Sequence, residues 1–386
     1  MISNRLPPQA QPNELSQTIA SLKADGVEIL DLTESNPTHA GISYAGIDLA
    51  ALADPAALRY DPHPFGLLSA RTAVALDQGR RGVTTDPADV VLAASTSEAY
   101  SWLFKLFCSP GDAVLVPAPS YPLFEHLTAL EGIRSYPYSL RYHGRWAVDV
   151  QSIVEAPPDV RALLAVSPNN PTGSYLSQDE MDAIAAICRA RRWPLIVDEV
   201  FADYPLDAVN PLTDVAARSN VLAFTLGGLS KSVGLPQMKL GWMIAGGPEA
   251  ERERALEALE LIADSYLSVN TPVQCALPEL LSSGAAVRAS IQGRTRCNLQ
   301  TLRRVATRYP ACDVLKAEGG WSAVIRVPST VGEEQLILDL LRAEHILVHP
   351  GYFFDFLHES FLVMSLLPSA DRFENAVDRL LRFATR

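Results

Sequence analysis

The chain of 386 residues carries a formal net charge of −12, with 48% hydrophobic and 20% charged residues. That composition is ordinary for a folded enzyme of roughly two to three domains with a large core, and its acidity argues against a nucleic-acid binder, which would need a basic face. Five scattered cysteines (Cys108, Cys188, Cys275, Cys297, Cys312) without a Cys-x-x-Cys spacing argue against a disulfide framework or a zinc site and suit a reducing cytoplasm. The histidines form no His-x-x-x-His pair beside an acid, so no metal is expected; the polar, proline-rich start Met1 to Glu14 has no apolar signal core, and no run reaches the length of a membrane span.

Residues 1 to about 48 read as an arm with one short strand, Glu28 to Leu32. From about 50 to 270, strands alternate with helices. Leu67 to Gly79, Glu98 to Phe107 and Gln178 to Arg192 have helical patterning. Val90 to Ala94, Ala113 to Pro117, Arg161 to Ser167, Pro194 to Asp198, Val221 to Leu226 and Gly241 to Ala245 read as strands. The alternation predicts an α/β fold, a mostly parallel sheet covered by helices on both faces. Arg189, Arg191 and Arg192 close a helix, where cations suit the dipole. Glu249 to Leu267 is a long helical pattern leading out of this unit. Beyond it, helices Val287 to Tyr309, Glu333 to Glu344 and Asp371 to Phe383 mix with strands Ser322 to Val327 and Leu362 to Leu366, as in a smaller α+β domain. The expected division is 1–48 for the arm and part of the small domain, 49–270 for the large domain, and 271–386 for the small domain.

Chemistry-bearing residues fall at the carboxyl ends of the predicted strands, where open α/β sheets bind ligands. Lys231 follows the apolar run Val221 to Leu226 in Gly227-Gly228-Leu229-Ser230-Lys231-Ser232. Small residues there let a planar ligand approach the backbone, and a desolvated lysine can present a free amine to a carbonyl. A surface lysine in a glycine turn is the plainer alternative. Asp198 and Glu199 end one strand, Pro168-Asn169-Asn170-Pro171-Thr172-Gly173 follows another, and Ser95-Thr96-Ser97-Glu98 a third. Amine, carboxylate, amide and hydroxyl-rich backbone together suit pyridoxal phosphate.

With Asn-Asn-Pro-Thr-Gly, Asp198-Glu199-Val200-Phe201, and Gly-Gly-Leu-Ser-Lys before Lys239-Leu240-Gly241-Trp242, the chain from about Ile29 onward resembles a class I/II aminotransferase of the fold-type I pyridoxal-phosphate enzymes. The resemblance implies Lys231 as the Schiff-base lysine and proton shuttle, and Asp198 as the partner of the pyridine nitrogen. It implies Asn170 on the phenolic oxygen and Tyr121 stacked on the ring. Thr96, Ser97 and Ser230 would hold the phosphate, with Lys239 nearby and Tyr60 reaching in from a second subunit. A homodimer with shared sites follows, as does ping-pong transfer from an amino donor to a 2-oxo acid. Asp198 and Tyr121 have structural alternatives, as a strand-end cap and a core ring; Glu199 should face the other side of the strand.

Three positions depart from the family pattern. Lys239 stands where an arginine usually meets the phosphate, and lysine lacks the bidentate fork. Phe201 replaces a tyrosine. Val363, in Phe361-Leu362-Val363-Met364-Ser365, occupies the register of the arginine that grips a substrate carboxylate, with Arg326 the nearest substitute. Substrate recognition is therefore expected to be atypical. A lyase or decarboxylase on the same fold is the alternative. From other classes, an inactive regulator conflicts with the presence of Lys231, Asp198 and Asn170, and a nucleotide binder conflicts with Ser230 at the glycine position of a Walker motif.

Overall fold

In the computed structural model, residue 3, residues 5–6, and residues 13–207, 220–358 and 360–386 are described. A helix, Glu14–Ala24, opens this set, its first turn capped by the Asn13 side chain, and leads to β1 (Leu30–Asp31). The strands that follow are β2 (Val90–Ala93), β3 (Ala113–Ala118), β4 (Arg134–Tyr142), β5 (Trp146–Val148), β6 (Val160–Val166), β7 (Leu195–Asp198), β8 (Ala223–Gly228) and β9 (Gly241–Gly246). They form one eight-stranded sheet in the order β2-β9-β8-β7-β6-β3-β4-β5. Pairing is parallel from β4 through β3, β6 and β7 to β8 and antiparallel elsewhere.

The central strands are buried on both sides, which is why they read as continuous apolar runs. Leu163, Ala165, Leu195 and Val197 pack on one face with Met181, Ile184 and Cys188 of helix Gln178–Arg191. Leu164, Val166, Ile196 and Phe224 pack on the other with Tyr100 and Leu103 of helix Thr96–Phe107 and Leu259 of helix Glu249–Tyr266. Helix Gln178–Arg191 starts with a capping box between Ser177 and Glu180 and stops at Arg192 in the left-handed region.

After β9 the chain builds a second layer. Strands β10 (Asp313–Val314), β11 (Ser322–Arg326), β13 (His349–Pro350) and β14 (Phe361–Ser365) form an antiparallel sheet in the order β10-β11-β14-β13, while β12 (Ile346–Leu347) pairs in parallel with β1. Leu338 and Leu341 of helix Glu333–Glu344, Phe373 and Leu380 of helix Ala370–Ala384, and Leu299 and Leu302 of helix Ala285–Ala306 share one core with Leu15 and Leu32. The N-terminal segment thus completes the C-terminal core.

Several elements differ from the sequence-based expectations. The arm contains the Glu14–Ala24 helix, and its strand shrinks to β1. The β4–β5 hairpin and helix Phe124–Leu130 were not expected; Pro137 and alternating exposure give β4 the pattern of a strand near a sheet margin. Helix Thr271–Ser283, with Pro278 inside it, packs with helix Leu68–Gly79 and β2 through Val273, Leu277, Val74 and Leu92. It therefore lies against the larger sheet.

Candidate active site

Because β6, β7 and β8 run parallel, the segments after them emerge on one side of the sheet; β2 adds the start of helix Thr96–Phe107. These ends surround a cavity of about 190 Å³. Ser95, Thr96 and Ser97 line it at one end, and Asn170, Asp198, Ser230 and Lys231 along its floor. Tyr121 stands at its side, and Trp321, Ser322 and Ser365 close it from the small sheet.

Asp198 is 9% exposed. The Tyr100 hydroxyl donates to its Oδ2 at 2.5 Å and the Val200 N–H donates to Oδ1 at 3.0 Å. Burial pushes this carboxyl above its ordinary range, while the two hydrogen bonds and nearby Lys231 pull the other way. Burial also lowers Lys231 to about 8, against the opposing pull of Asp198. The Lys231 Nζ lies 5.2 Å from the ring centre of Phe201 and 4.8 Å from that of Trp321. Aromatic faces favour an ammonium, but here desolvation wins. A buried amine that sheds its proton near neutrality can act as nucleophile and base.

Other groups fix the lysine's backbone. Tyr204, fully buried, donates its hydroxyl to the Lys231 carbonyl at 2.5 Å, and Arg288 Nε donates to the Ser232 carbonyl at 2.8 Å. Tyr100, Tyr204, Trp321, Ser322 and Ser365 were not anticipated from the sequence. The only clue to Tyr100 is a polar-tipped ring on a helix face that is otherwise apolar; the rest come together through tertiary packing.

At the Ser95 end, the Ser95 side chain accepts from the Glu98 N–H and caps helix Thr96–Phe107, which starts two residues before the expected Glu98 and so takes Thr96 and Ser97 into its first turn. The first-turn amides of this 12-residue helix have no partners within it and suit an anion. The backbones meet here without side chains between them. A Cβ on Gly241 would lie 3.1 Å from the Ser95 carbonyl carbon and the Thr96 nitrogen, and one on Gly228 would lie 3.1 Å from the Gly241 Cα.

Asn169 is buried and structural: its Nδ2 donates to the Pro119 carbonyl and to Thr172 Oγ1, and its Oδ1 accepts from Ser120. Asn170 instead lines the cavity, and its Oδ1 accepts from Ser322 Oγ at 3.3 Å. Tyr121 is 39% exposed, and its ring meets Phe124 edge-on. Phe201, in place of a tyrosine, brings no hydroxyl and packs edge-on against Trp321.

Four residues singled out in the sequence are not brought to the cavity. Lys239 is exposed in a left-handed turn beside Leu240 and Gly241, which do line it. Tyr60 is 80% exposed and lines a separate cleft with His63 and Trp102. Arg326 pairs with Asp313 at 2.9 Å and borders another, aromatic-lined cavity, so it does not replace the missing arginine within this chain. Val363 is packed in an apolar cluster.

Pyridoxal 5′-phosphate fits this donor set: a desolvated amine, a buried carboxylate for a ring nitrogen, flanking aromatic side chains, and a helix start with hydroxyls for a phosphate. Among the described residues there is no cluster of three metal-ligating side chains and no helix long and apolar enough to cross a membrane.

The family model for aminotransferase class I and II matches residues 28–380. The chain is 27% identical over 374 residues to the glutamate-pyruvate aminotransferase AlaA of Haemophilus influenzae, covering 94% of this chain and 92% of that one. It is 28% identical over 382 residues to the alanine aminotransferase of Mycobacterium tuberculosis, covering 95% and 88%. The fold is similar to that of the alanine aminotransferase from Pyrococcus furiosus, with a TM-score of 0.88, 23% identity and coverage of 100% and 99%. A match over nearly the whole length, on a chain with this cavity, means that the protein belongs to the class I and II aminotransferases and uses pyridoxal 5′-phosphate to move an amino group.

Proposed function

We propose that Lys231 carries the cofactor and moves the proton at the substrate's reacting carbon, and that Asp198 pairs with the ring nitrogen. The observation that carries this reading is the placement of both groups on one cavity, with burial lowering the Lys231 amine and two hydrogen bonds holding the Asp198 carboxylate. When bound, pyridoxal phosphate supplies an electron sink for the bond-breaking at the amino-bearing carbon. The chain's residues do the rest. Asp198, held by Tyr100 and the Val200 N–H, is oriented to keep a proton on the ring nitrogen. Asn170 donates to the phenolic oxygen, and Tyr121 offers a ring face. Thr96, Ser97 and Ser230 receive the phosphate at the helix start. Lys231, with an amine near 8, takes a proton at one carbon and returns it at another.

The amino acceptor is a 2-oxo acid and the donor an amino compound, exchanged in ping-pong order. Short α-amino acids and pyruvate are the first candidates, because two relatives are named for alanine and for glutamate and pyruvate. The division near residues 48 and 270 goes with this reading, except that helix Thr271–Ser283 packs on the larger sheet; a cytoplasmic location, which the free cysteines suit, goes with it too. Borohydride reduction of the holoenzyme followed by peptide mapping should place the cofactor on Lys231; label on any other lysine would overturn the assignment.

A homodimer completes the reading. Tyr60 and the neighbouring Asp61 and His63 are exposed, as residues reaching into a second subunit's site would be in an isolated chain. Heterodimers of a Lys231→Ala subunit and a Tyr60→Phe subunit should recover activity above either parent. No recovery in verified heterodimers would confine Tyr60 to its own chain.

A further inference from the structure

The wall opposite the reacting amine carries no charge. Among the described residues lining the cavity, Lys231 is the only cation. The small sheet contributes Trp321, Ser322 and Ser365 to that wall. The other cations that could have served are placed elsewhere: Arg326 is paired with Asp313 beside another cavity, and Lys239 is exposed outside this one. Val363 lies two residues before Ser365, on the same face of β14. It is 2% exposed and packs in one cluster with Leu140, Trp146, Val324 and Phe356, which leaves no place for an ion pair.

The neutral groups are set up as donors. Ser365 Oγ accepts from the Leu367 N–H at 3.1 Å, so its own proton remains to be given. Ser322 donates to Asn170 Oδ1 at 3.3 Å, which leaves the Asn170 Nδ2 hydrogens without an acceptor among the described residues. Donors without a cation satisfy a carbonyl oxygen as well as a carboxylate oxygen. An amide pays a smaller desolvation penalty than an anion on entering such a site.

We propose that this cavity recognises the group beside the reacting carbon as a hydrogen-bond acceptor and not as an anion, so that the enzyme also aminates 2-oxo carboxamides and deaminates α-amino carboxamides. The proposal rests on Lys231 being the reacting amine. In the amination, the acceptor's carbonyl carbon gains nitrogen and, by way of Lys231, a proton, and is reduced to the amine level. The cofactor carbon that gave up the nitrogen is oxidised to the aldehyde level. One water leaves on condensation and one is taken up on release, so no further reactant is consumed.

Pyruvate and pyruvamide test this, since neither carries an amine whose own protonation would bias the comparison. With the wild-type holoenzyme in its amine form, kcat/KM for the two acceptors should agree within about tenfold, whereas a site built on a buried ion pair separates such a pair by roughly 30-fold to 5,000-fold. Binding is read separately, as the Kd of each compound for cofactor-loaded Lys231→Ala protein, followed by tryptophan fluorescence. Those two Kd values should also agree within about tenfold, and Ser365→Ala in that background should weaken both by a similar factor of about three to ten. A preference for pyruvate of about 100-fold or more, in turnover or in binding, overturns the recognition proposal and leaves the chemistry of Lys231 standing. Equal binding of both compounds with turnover of neither keeps the recognition and overturns the role given to Lys231. No effect of Ser365→Ala on either Kd overturns the donor assignment.

Discussion

Asp198 and Glu199 are consecutive carboxylates at the end of β7, and they live in different surroundings. Asp198 opens on the active-site cavity and is held by a phenol and a backbone N–H, both neutral. Glu199 opens on a different cavity, with Gln78 and Thr225 in its lining, and accepts from Arg81 Nη2 at 2.6 Å. Both are buried. One charge is compensated within the chain; the other is oriented but left short of a cationic partner on its cavity side, apart from a lysine that itself sheds its proton easily. The two sides of one strand end thus separate a contact completed within the chain from a carboxylate that the proposed reading pairs with the cofactor's ring nitrogen.

Breaking the finished side should have the largest effect on folding. Arg81→Met strands a buried carboxylate and should cost about 3–5 kcal/mol of stability, read from denaturant unfolding, with turnover per folded molecule unchanged. A loss well under about 1 kcal/mol would mean that solvent reaches Glu199. Breaking the unfinished side should do the reverse. Asp198→Asn should lower kcat by about 10²–10³-fold, the usual scale for removing one electrostatic stabiliser, while the unfolding midpoint barely moves. Near wild-type single-turnover rates would remove Asp198 from the chemistry. The smallest effect sharpens the contrast through pH. In cofactor-free protein, Lys231 releases its proton near 8, against its ordinary 10.5 in the unfolded chain. Between those values the unfolded state binds more protons, so stability should rise with pH across that window and be flat below it on this account. Lys231→Met should abolish that rise; if the rise persists, it comes from another group.

The central layers were legible because both faces of β6 and β7 are buried, and the apolar runs that result announce strands without ambiguity. Helix Gln178–Arg191 was legible from its patterning and its closing arginines. Lys231, Asp198 and Asn170 could be singled out because each follows a recognisable strand. Elements at margins were not legible: Pro137 and exposed side chains disguise β4, and Pro278 disguises a helix that tertiary packing sustains. The same holds within the cavity. Tyr100 reaches Asp198 from a helix 98 residues earlier, and Ser365 arrives on the strand β14 of the second sheet. No local pattern encodes such meetings. Lys239 and Arg326 were attractive by spacing and charge, but a left-handed turn and an edge-strand ion pair keep them outside the site.

The clamp beneath Lys231 has a kinetic consequence. Tyr204 and Arg288 grip the carbonyls of Lys231 and Ser232 from two directions, so the residue's main chain is anchored whether or not the side chain is attached to anything. In the role proposed for Lys231, an amine displaced by an incoming amino compound would be the free end of a four-methylene leash fastened to a fixed post. Its search volume is a small arc over the cavity floor, between the rings of Phe201 and Trp321. A base confined in that way meets its target at an effective concentration far above anything free in solution, which is the entropic advantage of intramolecular reactions. Loosening the post, with the leash itself untouched, would dilute the base.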